Sequence, residues 1–157
     1  MFARMSSIEG FDTRCTIVHV VREATEVVID TSAILAVVSD QPEKADLIRL
    51  TRGATLLAPP SIHWEIGNAL SAMFKRKAIT LDAARKLLDA YAAIPIRQTE
   101  LRLEQAVELA ARLDIYAYDA YVLVCAISHG APILTLDRGL KARARELKLT
   151  VLEVDSE

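Results

Sequence analysis

Short apolar stretches alternate with longer amphipathic stretches along most of this chain. Runs of aliphatic and β-branched residues, typical of buried strands, occupy residues 27–30, 55–58, 94–96, 132–135 and 149–154. Apolar positions spaced three or four apart predict helices over residues 33–38, 42–53, 60–77, 81–93, 101–113, 118–129 and 138–147. Because strands joined by helical crossovers pair in parallel and are covered on both faces, the alternation predicts an α/β fold around a parallel sheet.

Several residues mark where these elements begin or end. Thr31 and Ser32 offer a cap for the first helix, and Thr80 offers one for the helix over residues 81–93. Pro95 lacks a backbone N–H, which makes residues 94–96 a candidate for an edge strand. The inward face of the helix over residues 81–93 is predicted to consist of Leu81, Ala84, Leu87, Leu88 and Tyr91.

Composition places the chain among compact globular proteins. With 157 residues, of which 52% are hydrophobic and 25% charged, one domain with a single core is expected. Residues 1–24 differ from the rest and are assigned as an N-terminal extension of unclear role, with a candidate strand at residues 16–21. The compact domain is predicted to span residues 25–157.

Cysteine usage and hydropathy bear on the cellular compartment. Cys15 and Cys125 are far apart and have no ligand spacing, so a disulfide framework is not expected. No uncharged apolar stretch approaches the roughly 18 residues that a membrane span requires. These observations predict a cytoplasmic protein without a membrane segment.

The net charge of −2 argues against a broadly basic nucleic-acid-binding surface but leaves room for a local basic groove. Basic residues cluster at 75–77 and again between residues 138 and 148. For residues 75–77 the favoured interpretation is a solvated helix end, where cations complement the helix dipole. Arg138 directly follows Asp137, and it is therefore a candidate contact for RNA.

Four acidic residues interrupt or close apolar stretches: Asp30, Glu65, Asp119 and Asp137. Acids are rarely buried unless they are paired or bind a metal ion. Asp30 and Asp137 each follow a predicted strand, at the end where α/β folds bind their ligands. Each acid alone has a simpler interpretation, since Asp30, Asp119 and Asp137 can stabilise helix starts and Glu65 can face solvent. Together they favour a shared site.

Carboxylate oxygens suit Mg²⁺ or Mn²⁺, which would relieve the repulsion between crowded acids. Such a site is suited to phosphodiester hydrolysis. Asp30 is the predicted central ligand, Glu65 and Asp119 would complete the shell or position water, and Asp137 would support a second ion. Asn68 lies three residues after Glu65 and so shares its helix face, whereas Thr135 lies two residues before Asp137 at the strand end.

Two other functions remain open on the residues alone. A phosphatase-like hydrolase with Asp30 as its nucleophile usually has a second acid two residues later, and Ser32 occupies that position. A non-catalytic RNA- or protein-binding module on the same fold is the other alternative. It is disfavoured because a binding module has no need to crowd negative charge.

Four motifs in order give the chain a family resemblance: VIDTSAIL from residue 28, EIGNAL from residue 65, YDAY from residue 118 and LTLD from residue 134. Over residues 26–154 the chain resembles PIN-domain nucleases, and among them the VapC-type toxins of toxin–antitoxin pairs. The extension before Glu26 departs from the usual start of the family.

The resemblance implies a three-layer α/β/α sandwich and an Mg²⁺-dependent endoribonuclease. It also implies a homodimer and a cognate antitoxin that covers the active site. The acidic quartet of the family carries over to Asp30, Glu65, Asp119 and Asp137. Its polar accompaniment carries over to Thr31 or Ser32, and to Asn68.

Overall fold

Four short parallel strands form the centre of the protein. The computed structural model describes residues 25–155. Its strands are β1 (Glu26–Ile29), β2 (Thr55–Ala58), β3 (Ile96–Gln98) and β4 (Ile133–Leu134). They are ordered β3-β2-β1-β4, and every neighbouring pair runs parallel. In this order β1 and β2 are central, which agrees with their almost uninterrupted apolar sequences.

Seven helices connect or follow these strands in the described part of the chain. They are α1 (Thr31–Val38), α2 (Lys44–Thr51), α3 (Ile62–Lys75), α4 (Leu81–Ala92), α5 (Leu103–Leu113), α6 (Ala117–His129) and α7 (Arg138–Glu146). Among these described helices, none combines the length and the apolar character needed to cross a membrane.

The helices cover both faces of the sheet because successive side chains of a strand point to opposite sides. Val28 packs with α5, α6 and α7 on one face. Val27 and Ile29 pack with α1 to α4 on the other face. The predicted three-layer α/β/α arrangement is therefore confirmed, with one apolar cluster on each side of the sheet.

Two strand predictions need correction. The strand predicted at residues 94–96 lies at Ile96–Gln98 instead, although it is an edge strand as expected. Pro95, without an N–H, precedes the ladder rather than joining it. The strand predicted at residues 149–154 is reduced to one parallel bridge between Val151 and Ile133, because β4 is only two residues long. The candidate strand at residues 16–21 lies outside the described residues.

Two helix predictions also need correction. Neither Thr31 nor Ser32 caps α1; Asp30 does, as the simpler interpretation of this acid predicted, and the helix begins at Thr31. Thr80 caps α4 as predicted, by accepting a hydrogen bond from the backbone N–H of Ala83.

Leu81 and Leu88 of α4 were predicted to face inward, yet their exposed fractions are 57% and 43%. The reason is that α4 buries only a narrow stripe centred on Ala84.

Candidate metal centre

Asp30 lies at the carboxyl end of β1 and is only 8% exposed. Its Oδ2 atom accepts hydrogen bonds from the Ser32 backbone N–H at 3.2 Å, from the Ser32 hydroxyl at 2.5 Å and from the Thr135 hydroxyl at 2.8 Å. No described residue donates a hydrogen bond to the other carboxylate oxygen, Oδ1. One oxygen therefore fixes the orientation of the side chain while the other is left for a ligand.

The hydroxyls of Ser32 and Thr135 also join the end of β1 to the end of β4. The Leu136 backbone N–H donates to Ser32 Oγ at 2.9 Å, and the Asp137 N–H donates to Thr135 Oγ1 at 3.0 Å. Both hydroxyls thus accept one bond and donate one to Asp30. Because buried polar groups are costly when unpaired, this fully paired network holds the start of α7 beside Asp30.

Glu65 is positioned from the first turn of α3 and is half-buried. The Thr31 hydroxyl donates to Glu65 Oε2 at 3.0 Å, which ties α3 to α1. Burial raises the pKa of Glu65, the hydroxyls of Ser61 and Thr31 oppose that shift, and the charges of Asp30 and Asp119 add to it. Glu65 therefore lies within electrostatic reach of two other acids.

Asp119 lies in the first turn of α6 and is half-buried. Burial raises its pKa, and the charges of Asp137 and then Asp30 raise it further. The predicted helix-start position is thus real. The same carboxylate also lies within electrostatic reach of two other acids, which is consistent with a second role.

Asp137 caps α7, because its Oδ1 accepts a hydrogen bond from the Leu140 backbone N–H at 2.8 Å. Its side chain is the most exposed of the four acids. Two residues later, a Cβ atom added to Gly139 would lie 3.1 Å from Asp137 Oδ1. Gly139 therefore leaves the room that this carboxylate occupies. The sequence analysis did not single out Gly139, although a glycine directly after Asp137-Arg138 was the available signal for a crowded position.

Ser61 is a second residue that the sequence reading missed. It is fully buried and lies at the start of α3, and its hydroxyl forms no hydrogen bond of regular geometry with any described residue. It nevertheless lies near enough to Glu65 to lower the pKa of that carboxyl group. A serine after two prolines is typical of an ordinary helix start, so no local pattern marks Ser61 as a buried residue.

The structure does not bring every predicted supporting residue into this network. Asn68 is exposed on α3 and makes no hydrogen bond to the four acids. Arg138 is the first residue of α7 and is exposed beside Asp137. Thr31, Ser32 and Thr135 do contact the acids directly, as described above.

The donor set fits a hard divalent cation. All four side chains are carboxylates, and Asp30 presents an oxygen without a donor from the described residues. Within residues 25–155, no three His, Cys, Asp or Glu side chains are already gathered as a complete metal-binding cluster. Mg²⁺ requires only one or two carboxylates and retains several waters, so a fully closed cage is not expected for it.

Comparison with known proteins assigns the family. The model of the PIN domain matches residues 27–146, which is most of the chain, and the chain belongs to the PIN-domain family. The four acids all lie within the matched region. No curated protein matches the sequence with significance.

Solved structures show the same fold at low sequence identity. PAE2754 from Pyrobaculum aerophilum is 24% identical with a TM-score of 0.57, and the match covers 76% of this chain and 86% of that one. VapBC2 from Rickettsia felis, bound to a DNA fragment from their promoter, is 14% identical with a TM-score of 0.60, covering 82% and 98%. Mycobacterium tuberculosis VapC20, a sarcin–ricin-loop-cleaving toxin, is 13% identical with a TM-score of 0.54, covering 74% and 94%.

Proposed function

We propose that this protein is a divalent-metal-dependent endoribonuclease that hydrolyses RNA phosphodiester bonds. The observation that supports this most strongly is the arrangement around Asp30. Hydroxyl and backbone donors fix its Oδ2, no described donor contacts its Oδ1, and its charge raises the pKa of both Glu65 and Asp119. Crowded carboxylates of this kind destabilise a metal-free protein, and a cation offsets their repulsion.

Asp30 would hold Mg²⁺ or Mn²⁺ together with Asp119, Glu65 and Asp137. When bound, the cation lowers the pKa of a coordinated water and stabilises negative charge on phosphate oxygens. Ser32 and Thr135 keep the Asp30 carboxylate in one orientation, and Thr31 does the same for Glu65. Glu65 and Asp119 would complete the shell of the cation or orient a water molecule beside it.

The protein would act as the toxin of a toxin–antitoxin pair, as a homodimer in the cytosol. Support comes from its structural neighbours, which include VapBC2 with a promoter fragment and VapC20, a cleaving toxin. Large apolar side chains also stay exposed on α3, namely Trp64 at 55% and Phe74 at 39%. A partner that packs against α3 would remove this apolar surface from water. Light scattering of the purified chain alone measures whether it forms a homodimer. Light scattering after co-expression with the product of the upstream neighbouring gene measures whether it binds an antitoxin.

No observation favours the two other candidate functions. A phosphatase with Asp30 as nucleophile usually has a second acid two residues later, and that position is Ser32, whose hydroxyl donates to Asp30. A purely binding module would gain nothing from the mutual repulsion of Asp119 and Asp137. Neither alternative predicts metal-dependent cleavage of RNA, so an RNA cleavage assay distinguishes both from the proposed function.

The test is RNA cleavage with Mg²⁺ or Mn²⁺ and with EDTA. The wild-type chain is expected to cleave RNA only with the cation, and Asp119→Asn is expected to remain folded but lose cleavage. Asp89→Asn is the matched control, because it removes the same charge from an exposed position on α4. Cleavage that persists in EDTA, or that survives Asp119→Asn, would refute the proposal.

A further inference from the structure

A cleft of about 600 Å³ opens next to Asp137, the most exposed of the four acids. Leu136 and Arg138, the two neighbours of Asp137, form part of one wall, with Lys141 next to them. The backbone N–H of Leu136 is the same group that donates to Ser32. The cleft therefore begins one residue from the hydroxyl network that holds Asp30. Its volume lies in the range of roughly 300–1,000 Å³ that is typical of small-molecule sites.

One wall of the cleft is positively charged. Arg138 and Lys141 are three residues apart on α7, so they share a helix face. No described acid lies within ion-pair distance of Arg138. Lys141 is only 17% exposed, and its one ion-pair partner among residues 25–155 is Glu153, at 3.7 Å. Because Glu153 also pairs with Arg145 at 2.5 Å, most of the Lys141 charge is left for another anion.

Another part of the lining comes from Glu43, which precedes α2, and from Asp46 in the first turn of that helix. The acids that line the cleft differ in whether a described cation pairs with them. Asp46 and Asp155 are both paired with Arg49, at 3.0 and 2.8 Å. Glu43, by contrast, caps no backbone group, and its enclosed Oε2 has no hydrogen-bond partner among the described residues. No described residue donates to this carboxylate, and a ligand in the cleft would reach it through Oε1, the oxygen that is not enclosed.

We infer that this cleft is a nucleotide subsite of the nuclease, which rests on the function proposed above. Arg138 and Lys141 bind a phosphate that neighbours the scissile one, and Glu43 accepts a hydrogen bond from the base. Carboxylates accept from exocyclic amino groups, which adenine and cytosine present at their edges, whereas the donor of uracil, its ring N3–H, lies between two carbonyl oxygens that a carboxylate repels. The cleft therefore selects a base with an amino group next to the cleavage position. A cleft of similar volume, about 620 Å³, borders Thr25 and Pro132 at the amino ends of the strands, away from the acids.

The test measures binding of hexaribonucleotides A6, C6 and U6 in the Asp119→Asn background, with Mg²⁺ and over a range of salt. Lys141→Ala and Arg138→Ala are each expected to weaken binding by roughly threefold to tenfold. Each should reduce the slope of log Kd against log salt by about 0.7, the value for one phosphate contact with a single strand. Arg143→Ala is the matched control, since it removes one charge from the same helix outside the cleft and is expected to leave the slope unchanged.

The base preference gives a second, independent readout. A6 and C6 are expected to bind several-fold more tightly than U6, and Glu43→Ala should remove this preference without changing the salt slope. Melting temperatures of all variants establish that they fold. If Lys141→Ala does not fold, because Lys141 is half-buried, Arg138→Ala still tests the phosphate contact. Equal effects of Lys141→Ala, Arg138→Ala and Arg143→Ala would overturn the subsite while leaving the nuclease intact. If the wild-type chain neither cleaves nor binds RNA, both proposals fall.

Discussion

The hydroxyl of Thr135 donates a hydrogen bond of 2.8 Å to Oδ2 of Asp30, a residue 105 positions earlier in the chain. Thr135 is fully buried, and Asp30 is nearly so. This bond connects the carboxyl ends of two adjacent parallel strands. The bond stabilises the fold, because it pairs a buried carboxylate. It also sets the orientation of that carboxylate in the proposed cation site.

Thr135→Val should destabilise the protein and weaken its affinity for the cation. Valine has nearly the same shape but cannot donate, so Asp30 and the Asp137 N–H each lose a partner. The expected loss is about 1–3 kcal/mol in the free energy of unfolding, measured by urea denaturation. Thr150→Val, at an exposed position, is the control and should change stability by less than about 0.5 kcal/mol. Equal stability of the two variants would contradict the importance of this bond.

Mg²⁺ or Mn²⁺ should raise the melting temperature of the wild-type chain. A cation that binds only the folded state at 100 times its Kd stabilises it by about 2.7 kcal/mol. For a chain of this size that corresponds to roughly 5–10 °C. Asp30→Asn should abolish the rise, whereas Asp82→Asn on the exposed start of α4 should retain it. A rise of equal size in Asp30→Asn would show that the cation binds elsewhere.

Asp119→Asn should stabilise the metal-free protein at neutral pH. The folded state raises the pKa of Asp119 above its ordinary 3.8, so its protonated form favours folding and that contribution is lost as the pH rises through the folded pKa. In EDTA the variant should therefore melt above wild type at pH 7, and the two should converge below about pH 4. Asp89→Asn is the control, because it removes the same charge from an exposed position on α4. A variant that melts below wild type at pH 7 would contradict the repulsion inferred between the acids.

Gly139→Ala should reduce cleavage more than it reduces stability. Alanine favours the helix by up to about 1 kcal/mol, but its Cβ would press on Asp137 Oδ1 at 3.1 Å. Because that oxygen also accepts the bond from Leu140, the carboxylate can move only by weakening the cap of α7. Thermal unfolding and cleavage rates measured together separate the two effects.

The control for this prediction is Gly67→Ala on α3, where an added Cβ meets nothing within 4 Å. It should raise stability by about 0.5–1 kcal/mol through helix propensity alone. If Gly139→Ala behaves in the same way and cleaves RNA normally, Asp137 has more freedom than the geometry indicates.

Local sequence patterns predicted most elements because their causes are local. The strand at Thr55–Ala58 and the Thr80 cap follow from a short aliphatic run and from a hydroxyl at a helix start. The predictions that were wrong concern residues whose burial or pairing depends on other elements of the fold. Leu88 has the spacing of a core residue, but α4 packs too narrowly to bury it. Residues 149–154 have the composition of a strand, but the two-residue β4 offers too little edge to pair with.

The sequence by itself determined which acids stand at the ends of strands and helices, because apolar runs and capping patterns fix those ends. Only the tertiary structure decided how each acid is held. Thr31 reaches Glu65 across 34 residues and Thr135 reaches Asp30 across 105, and no periodicity encodes such contacts. They depend on strand order and on the packing of α1 against α3, which the whole chain sets cooperatively. The space that Gly139 leaves for Asp137 is likewise a three-dimensional property.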